Sequence, residues 1–126
     1  MKIQSNPVSW FEIYVQDIHR AQLFYEALFE KTLTPLPTDG SFQALAFPGI
    51  ESTYGAMGAL MQHPHRHPHA EGTIIYFHVK DCQTYLERAI TLGALVVRAK
   101  WSIGENGFIA LITDSEGNTI GLHSFQ

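Results

Sequence analysis

Trp10-Phe-Glu-Ile-Tyr-Val-Gln-Asp17 and Ile74-Ile-Tyr-Phe-His-Val-Lys-Asp81 lie 64 residues apart, about half the length of the 126-residue chain, and share one pattern. In each, an alternating, β-rich run meets Val, then a polar residue, then Asp. An internal repeat of this kind sets the fold before any single motif does. Asp17 and Asp81 stand where a helix N-cap belongs, because their carboxylates can accept the free amides of a first turn. Apolar residues then recur at helical spacing: Ile18, Ala21, Phe24, Tyr25 and Leu28 in the first half, and Tyr85, Leu86, Ala89, Ile90 and Leu92 in the second, where Gly93 supplies a left-handed stop.

Three strand candidates follow each helix. They are Lys31–Leu36, Phe42–Phe47 and Tyr54–Met61, then Leu95–Ala99, Phe108–Thr113 and Asn118–Phe125. Turn chemistry separates them at Pro37-Thr-Asp-Gly40, Pro48-Gly49, Gly104-Glu-Asn-Gly107 and Asp114-Ser-Glu-Gly117. The order βαβββ therefore occurs twice, and neither half has enough structure to cover its own sheet. The reading is one α+β domain over residues 1–126, with modules 1–62 and 73–126 joined by a His/Pro-rich linker, 63–72. Its two tandem modules form a curled, half-open, eight-stranded mixed sheet around a cavity.

Composition narrows the function classes. Hydrophobic residues make up 45% and charged residues 16%, the balance of a packed globular chain. The net charge of −4, with Lys and Arg scattered, offers nucleic acid no basic stripe. No run approaches the roughly 18 apolar residues of a membrane span, and Met1 to Trp10 lacks the apolar core of a secretory signal. One cysteine, Cys82, excludes an intrachain disulfide framework. The expectation is a cytoplasmic, bacterial-type protein.

Asp17-x-x-x-Ala21-x-x-Phe24-Tyr25-x-x-x-Phe29 after a strand ending in Val15 resembles the opening of the vicinal-oxygen-chelate superfamily, which includes glyoxalases, bleomycin-resistance proteins and extradiol dioxygenases. Asp114-Ser-Glu-Gly-Asn-Thr-Ile-Gly-Leu-His123 resembles its closing hairpin. The resemblance implies a cup-shaped ligand site and, in metal-dependent members, four ligands from the first and last strands of each module. Carried over one by one, those positions are Trp10, Ile74, Gly121 and a residue near Gly58 or Ala59. None offers a metal a side-chain lone pair of the needed kind. No cofactor is therefore expected, and a divalent metal would need displaced ligands.

Alternation along strands then selects a neighbouring constellation. Trp10, Glu12 and Tyr14 share a face, as do Ile74, Tyr76 and His78, and Gly121, His123 and Phe125. In the superfamily's arrangement these strands converge, which implies that Glu12, Tyr76 and His123 approach one another in the cavity. The sharper reading makes Glu12 a general base, His123 its acid partner and Tyr76 a donor to a developing oxyanion. A third reading makes Glu12 and His123, with water, a displaced two-ligand metal site. The blander reading is that Glu12 and His123 pair, or that one reaches solvent at the cup's mouth. Trp10, Tyr14, Ile74, His78, Gly121 and Phe125 are the candidate ligand-lining residues, with Gly121 leaving room for a ligand beside the backbone. The expected partner is a small apolar or aromatic molecule, and a homodimer is expected to cover the open sheet edges.

Three functions stay open at this stage. One is a metal-free binding protein, or a proton-transfer enzyme using Glu12 and His123. The second is a metal-dependent lyase or dioxygenase with displaced ligands, and the third a dimeric drug-sequestering protein. The tract His63-Pro-His-Arg-His-Pro-His69 reads as an extended polar connector able to hold an exposed metal ion.

Overall fold

The structure, a computed structural model, describes residues 6–51 and 53–126. Of the N-terminal stretch read for a secretory signal, residues 1–5 lie outside the described residues. Eight strands and two α-helices follow in the order β1 (Trp10–Tyr14), α1 (Ile18–Phe29), β2 (Thr34–Pro35), β3 (Gln43–Ala46), β4 (Met57–Gln62), β5 (Tyr76–His78), α2 (Cys82–Thr91), β6 (Val96–Ser102), β7 (Phe108–Thr113) and β8 (Thr119–Ser124).

They form two four-stranded mixed sheets, β1-β4-β3-β2 and β5-β8-β7-β6, related by the sequence repeat. The first strand of each half runs parallel to the last: Trp10 opposes Met57 and Glu12 opposes Ala59, while Tyr76 opposes Gly121 and His78 opposes His123. Neither sheet closes into a barrel. No backbone ladder joins β1 to β5 among the described residues. The two sheets meet instead through side chains, with the rings of Phe11 and Phe77 edge-on at 6.0 Å.

Both helices begin where the repeat places them. The Asp17 carboxylate accepts from the His19 and Arg20 amides at 3.1 Å each, and that of Asp81 from the Gln83 amide at 2.9 Å. All five apolar residues read onto the buried face of α1 are buried. In α2 the buried face is Cys82, Leu86 and Ala89, whereas Ile90 is 51% exposed and Leu92 38%. The sequence spacing overextended that face: the helix ends at Thr91, and Ile90 and Leu92 turn toward solvent.

The helices lie on one side of the two sheets and share one core. Phe11, Phe47 and Phe77 come from the strands, Tyr25, Phe29 and Tyr85 from the helices, with Phe29 and Phe77 centred 4.6 Å apart. Gly58 on β4 is required here. A Cβ at that position would strike the Phe11 ring, which lies flat across the glycine.

The linker differs from its extended reading. His63–Arg66 folds into a tight turn with an isolated bridge between its ends, Pro64 occupying the corner position its fixed φ favours. Among the described residues no helix is long and apolar enough to cross a membrane.

Candidate functional site

The sheet faces without helices carry the residues singled out by alternation. Phe11, Ile13 and Val15 point to the core, so Trp10, Glu12 and Tyr14 point the other way. On the second sheet Ile120, Leu122 and Ser124 are buried beneath α2, which leaves Tyr76, His78, Gly121, His123 and Phe125 on the open side. Ile74 lies just before β5, outside any strand. Trp10 on β1 is 41% exposed, Tyr76 on β5 45% and Phe125, one residue past β8, 67%, unusual exposure for large rings.

Glu12 is held by its own strand. The Tyr14 hydroxyl donates to its Oε1 at 2.7 Å, and the Trp10 indole N–H lies 3.4 Å from its Oε2. Partial burial and this hydrogen bond to a carboxylate both push the Tyr14 hydroxyl's pKa up. Glu12 and Tyr14 also line a recess of about 200 Å³ at the end of the β1–β5 junction, roofed by the linker residues His67, His69 and Glu71. A second recess of about 240 Å³ opens on the helix side of the same junction, walled by Phe11, Phe29, Phe47, Phe77 and Tyr85, with Lys31 at its lip. Sequence reading missed it, because its walls are residues that any periodicity argument assigns to the core.

His123 stands in a different network. Its Nε2 lies 2.7 Å from the Asn106 carbonyl and its Nδ1 3.3 Å from Nδ1 of His78. Phe125 packs edge-on against the His123 ring at 4.9 Å. No ion pair links Glu12 to His123 among the described residues. The base–acid couple inferred from convergence is therefore not assembled: intrastrand donors satisfy Glu12, and β5 and a turn carbonyl satisfy His123. Gly121 also departs from its reading. The Tyr76 ring lies over it and fills the space a side chain would take, so Gly121 is buried and opens no path to the backbone.

Asn106 escaped notice because its contribution is a backbone carbonyl. The signal present was Gly104 and Gly107, which have φ of 86° and 100° at the two ends of a 3₁₀ turn. A Cβ on Gly107 would collide with the backbone of Ser124. That close approach seats the turn against β8 and brings the Asn106 carbonyl to His123.

The closing motif Asp114–Asn118 proves to be a tether. Buried Asp114 accepts from the Glu116 and Asn118 amides, the Asn118 side chain and the Tyr25 hydroxyl, at 2.7–2.9 Å. Burial pushes the Asp114 carboxyl's pKa up despite these bonds, and Tyr25 is driven well above its ordinary value. Glu116 reaches across to the first half, accepting from the Gln16 and Asp17 amides and from Arg20 at 2.7–2.9 Å. Cys82 is buried with its thiol against the Ser124 hydroxyl, which leaves it a packing residue.

Solved structures give this architecture a name. Over 94% of its length the chain superposes on a glyoxalase/bleomycin resistance protein/dioxygenase family enzyme from Burkholderia phytofirmans PsJN, with a TM-score of 0.67 at 16% identity and 98% of that chain covered. It has the glyoxalase/bleomycin-resistance/dioxygenase fold. Glyoxalase I from Zea mays matches with a TM-score of 0.72 at 18% identity, and here the chain spans 46% of its relative's length. TnmS3, an antibiotic binding protein from Streptomyces sp. CB03234, matches end to end, with 99% of this chain and 100% of that chain covered, a TM-score of 0.67 and 19% identity. No family model matches the sequence, and no curated protein matches it.

The metal site that the resemblance implies does not fit this chain. Trp10, Ile74 and Gly121 cannot ligate, Tyr76 covers Gly121, and Gly58 lies under Phe11 with Ala59 beside it. Among the described residues no group of three or more His, Cys, Asp or Glu side chains could hold a metal ion.

Proposed function

We propose that this protein binds a small aromatic or apolar molecule bearing a positively charged or hydrogen-bond-donating end. The observation that carries the reading is the Trp10–Glu12–Tyr14 face. An exposed carboxylate is fixed by its two aromatic neighbours, lines a recess, and has no cationic partner among the described residues. Fixed orientation lowers the entropy lost on binding, and indole and phenol faces attract cations by roughly 0.5–2 kcal/mol. Tyr76 adds a second exposed ring, from the other sheet. The net charge of −4 works in the same direction.

Binding without turnover fits the geometry better than proton transfer. Both nitrogens of His123 are engaged, and neither faces Glu12 across a hydrogen bond. The end-to-end likeness in fold to TnmS3, an antibiotic binding protein, accords with a binding role. A homodimer covering the open sheet edges belongs to the same reading.

A thermal-shift screen of aromatic amines against their uncharged isosteres tests it. Stabilisation by the amines should fall by roughly tenfold in affinity in Glu12→Gln, the size of losing one charge-assisted hydrogen bond. Equal binding of charged and uncharged ligands, or no response to Glu12→Gln, overturns the reading.

A further inference from the structure

The structure assigns a two-imidazole chelate site for a tetrahedral divalent cation, of the Zn²⁺ kind, to His78 and His123. The two residues are register partners on the parallel strands β5 and β8 and lie on the open face. Their Nδ1 atoms face each other at 3.3 Å. Two nitrogens bound at about 2.0–2.1 Å to a tetrahedral ion stand about 3.3–3.4 Å apart, so the rings already hold that spacing.

Tautomer chemistry points the same way. His123 Nε2 lies 2.7 Å from the Asn106 carbonyl, which only accepts, so the ring must carry its proton there. Its Nδ1 is therefore a lone pair aimed at His78. This is the arrangement that prepares a metal-binding histidine, with one nitrogen donating to a carbonyl and the other free. Without metal, His78 must donate its Nδ1 proton to His123. To chelate, it need only carry the proton on Nε2 instead, and the exposure of His78 makes that shift cheap. The remaining coordination positions fall to water or to oxygens of a ligand.

These positions differ from those at which the resemblance placed ligands, and the inference does not rest on the binding reading above.

The chain has seven histidines. Replacing His63, His65, His67 and His69 with alanine leaves only His19, His78 and His123. Co²⁺, a spectroscopic stand-in for Zn²⁺, titrated into that variant should bind once per chain, with the intense visible absorption of tetrahedral coordination, and Zn²⁺ should displace it. His78→Ala and His123→Ala should each weaken binding by roughly tenfold or more, since losing even a ligand's supporting partner costs that much. His19→Ala and Glu12→Gln should leave it unchanged, which separates this site from the proposed ligand recess. Far-UV circular dichroism and a His123→Gln variant guard against loss of fold. Absence of Co²⁺ and Zn²⁺ binding in the tract-free protein, or binding in His78→Ala and His123→Ala as tight as in the tract-free parent, overturns the assignment.

Discussion

Gly58 and Gly121 are each covered by an aromatic ring from the neighbouring parallel strand, Phe11 in one sheet and Tyr76 in the other. The two pairs lie on opposite faces of their sheets and are not equivalent in the repeat, which aligns Ile75 with Phe11 and Tyr76 with Glu12. Phe11 points to the core, wedged against Phe47 and Phe77, and cannot move aside. Tyr76 is 45% exposed and can swing into solvent. Gly58→Ala should therefore destabilise the protein by about 1–3 kcal/mol, the usual cost of overpacking. Gly121→Ala should cost less than about 1 kcal/mol while displacing the Tyr76 ring. Urea midpoints measure the first contrast and Tyr76 ring shifts in NMR the second. Equal losses would mean that Tyr76 is pinned.

Among the elements, α1 is fixed at both ends of its buried face by the far half of the chain. The Tyr25 hydroxyl donates at 2.7 Å to Asp114 in the β7–β8 turn, and Arg20 in its first turn pairs with Glu116 at 2.7 Å. Arg88 of α2 donates to the Leu28 carbonyl near the end of α1. Tyr25→Phe removes a buried donor from a buried carboxylate without changing the shape of the ring. It should cost about 1–3 kcal/mol by denaturant unfolding, the penalty of an unsatisfied buried group. A neutral result would mean that water replaces the hydroxyl. Asp17 and Asp81 were legible as caps because capping is local. The tether was not, since Asp114 and Glu116 read as hairpin turn residues until their partners come within reach.

For the whole molecule, the Glu116 tether makes stability depend on pH. Burial pushes the Glu116 carboxyl's pKa up, but bonds from Arg20, the Asp17 and Gln16 amides and Ser115 outweigh it, and the net shift is downward. A folded-state pKa below the unfolded one means that the charged form contributes stability above the unfolded pKa. That contribution is lost as pH falls through the folded value. Melting temperatures of the native protein and Glu116→Gln should therefore differ most near neutrality and converge from roughly pH 5 downward. A gap that does not change with pH would show that Glu116 acts by packing and not by charge. The same tether holds the sheets edge to edge where backbone pairing is absent, helped by the Asn118 side chain on the Tyr14 carbonyl at 2.9 Å.

Local and periodic features were fully present in the sequence: the 64-residue repeat, both N-caps, the buried face of α1 and the in–out alternation of β1, β5 and β8. Each depends on residues a few positions apart, whose geometry is set by helical or strand period. Distances between strands far apart in sequence carry no such signal. Only the tertiary structure decided that His123 bonds to His78 and Asn106, so that it does not meet Glu12. It likewise decided that Tyr76 fills the space over Gly121, because ring placement follows from the packing of whole sheets, which alternation along one strand does not encode.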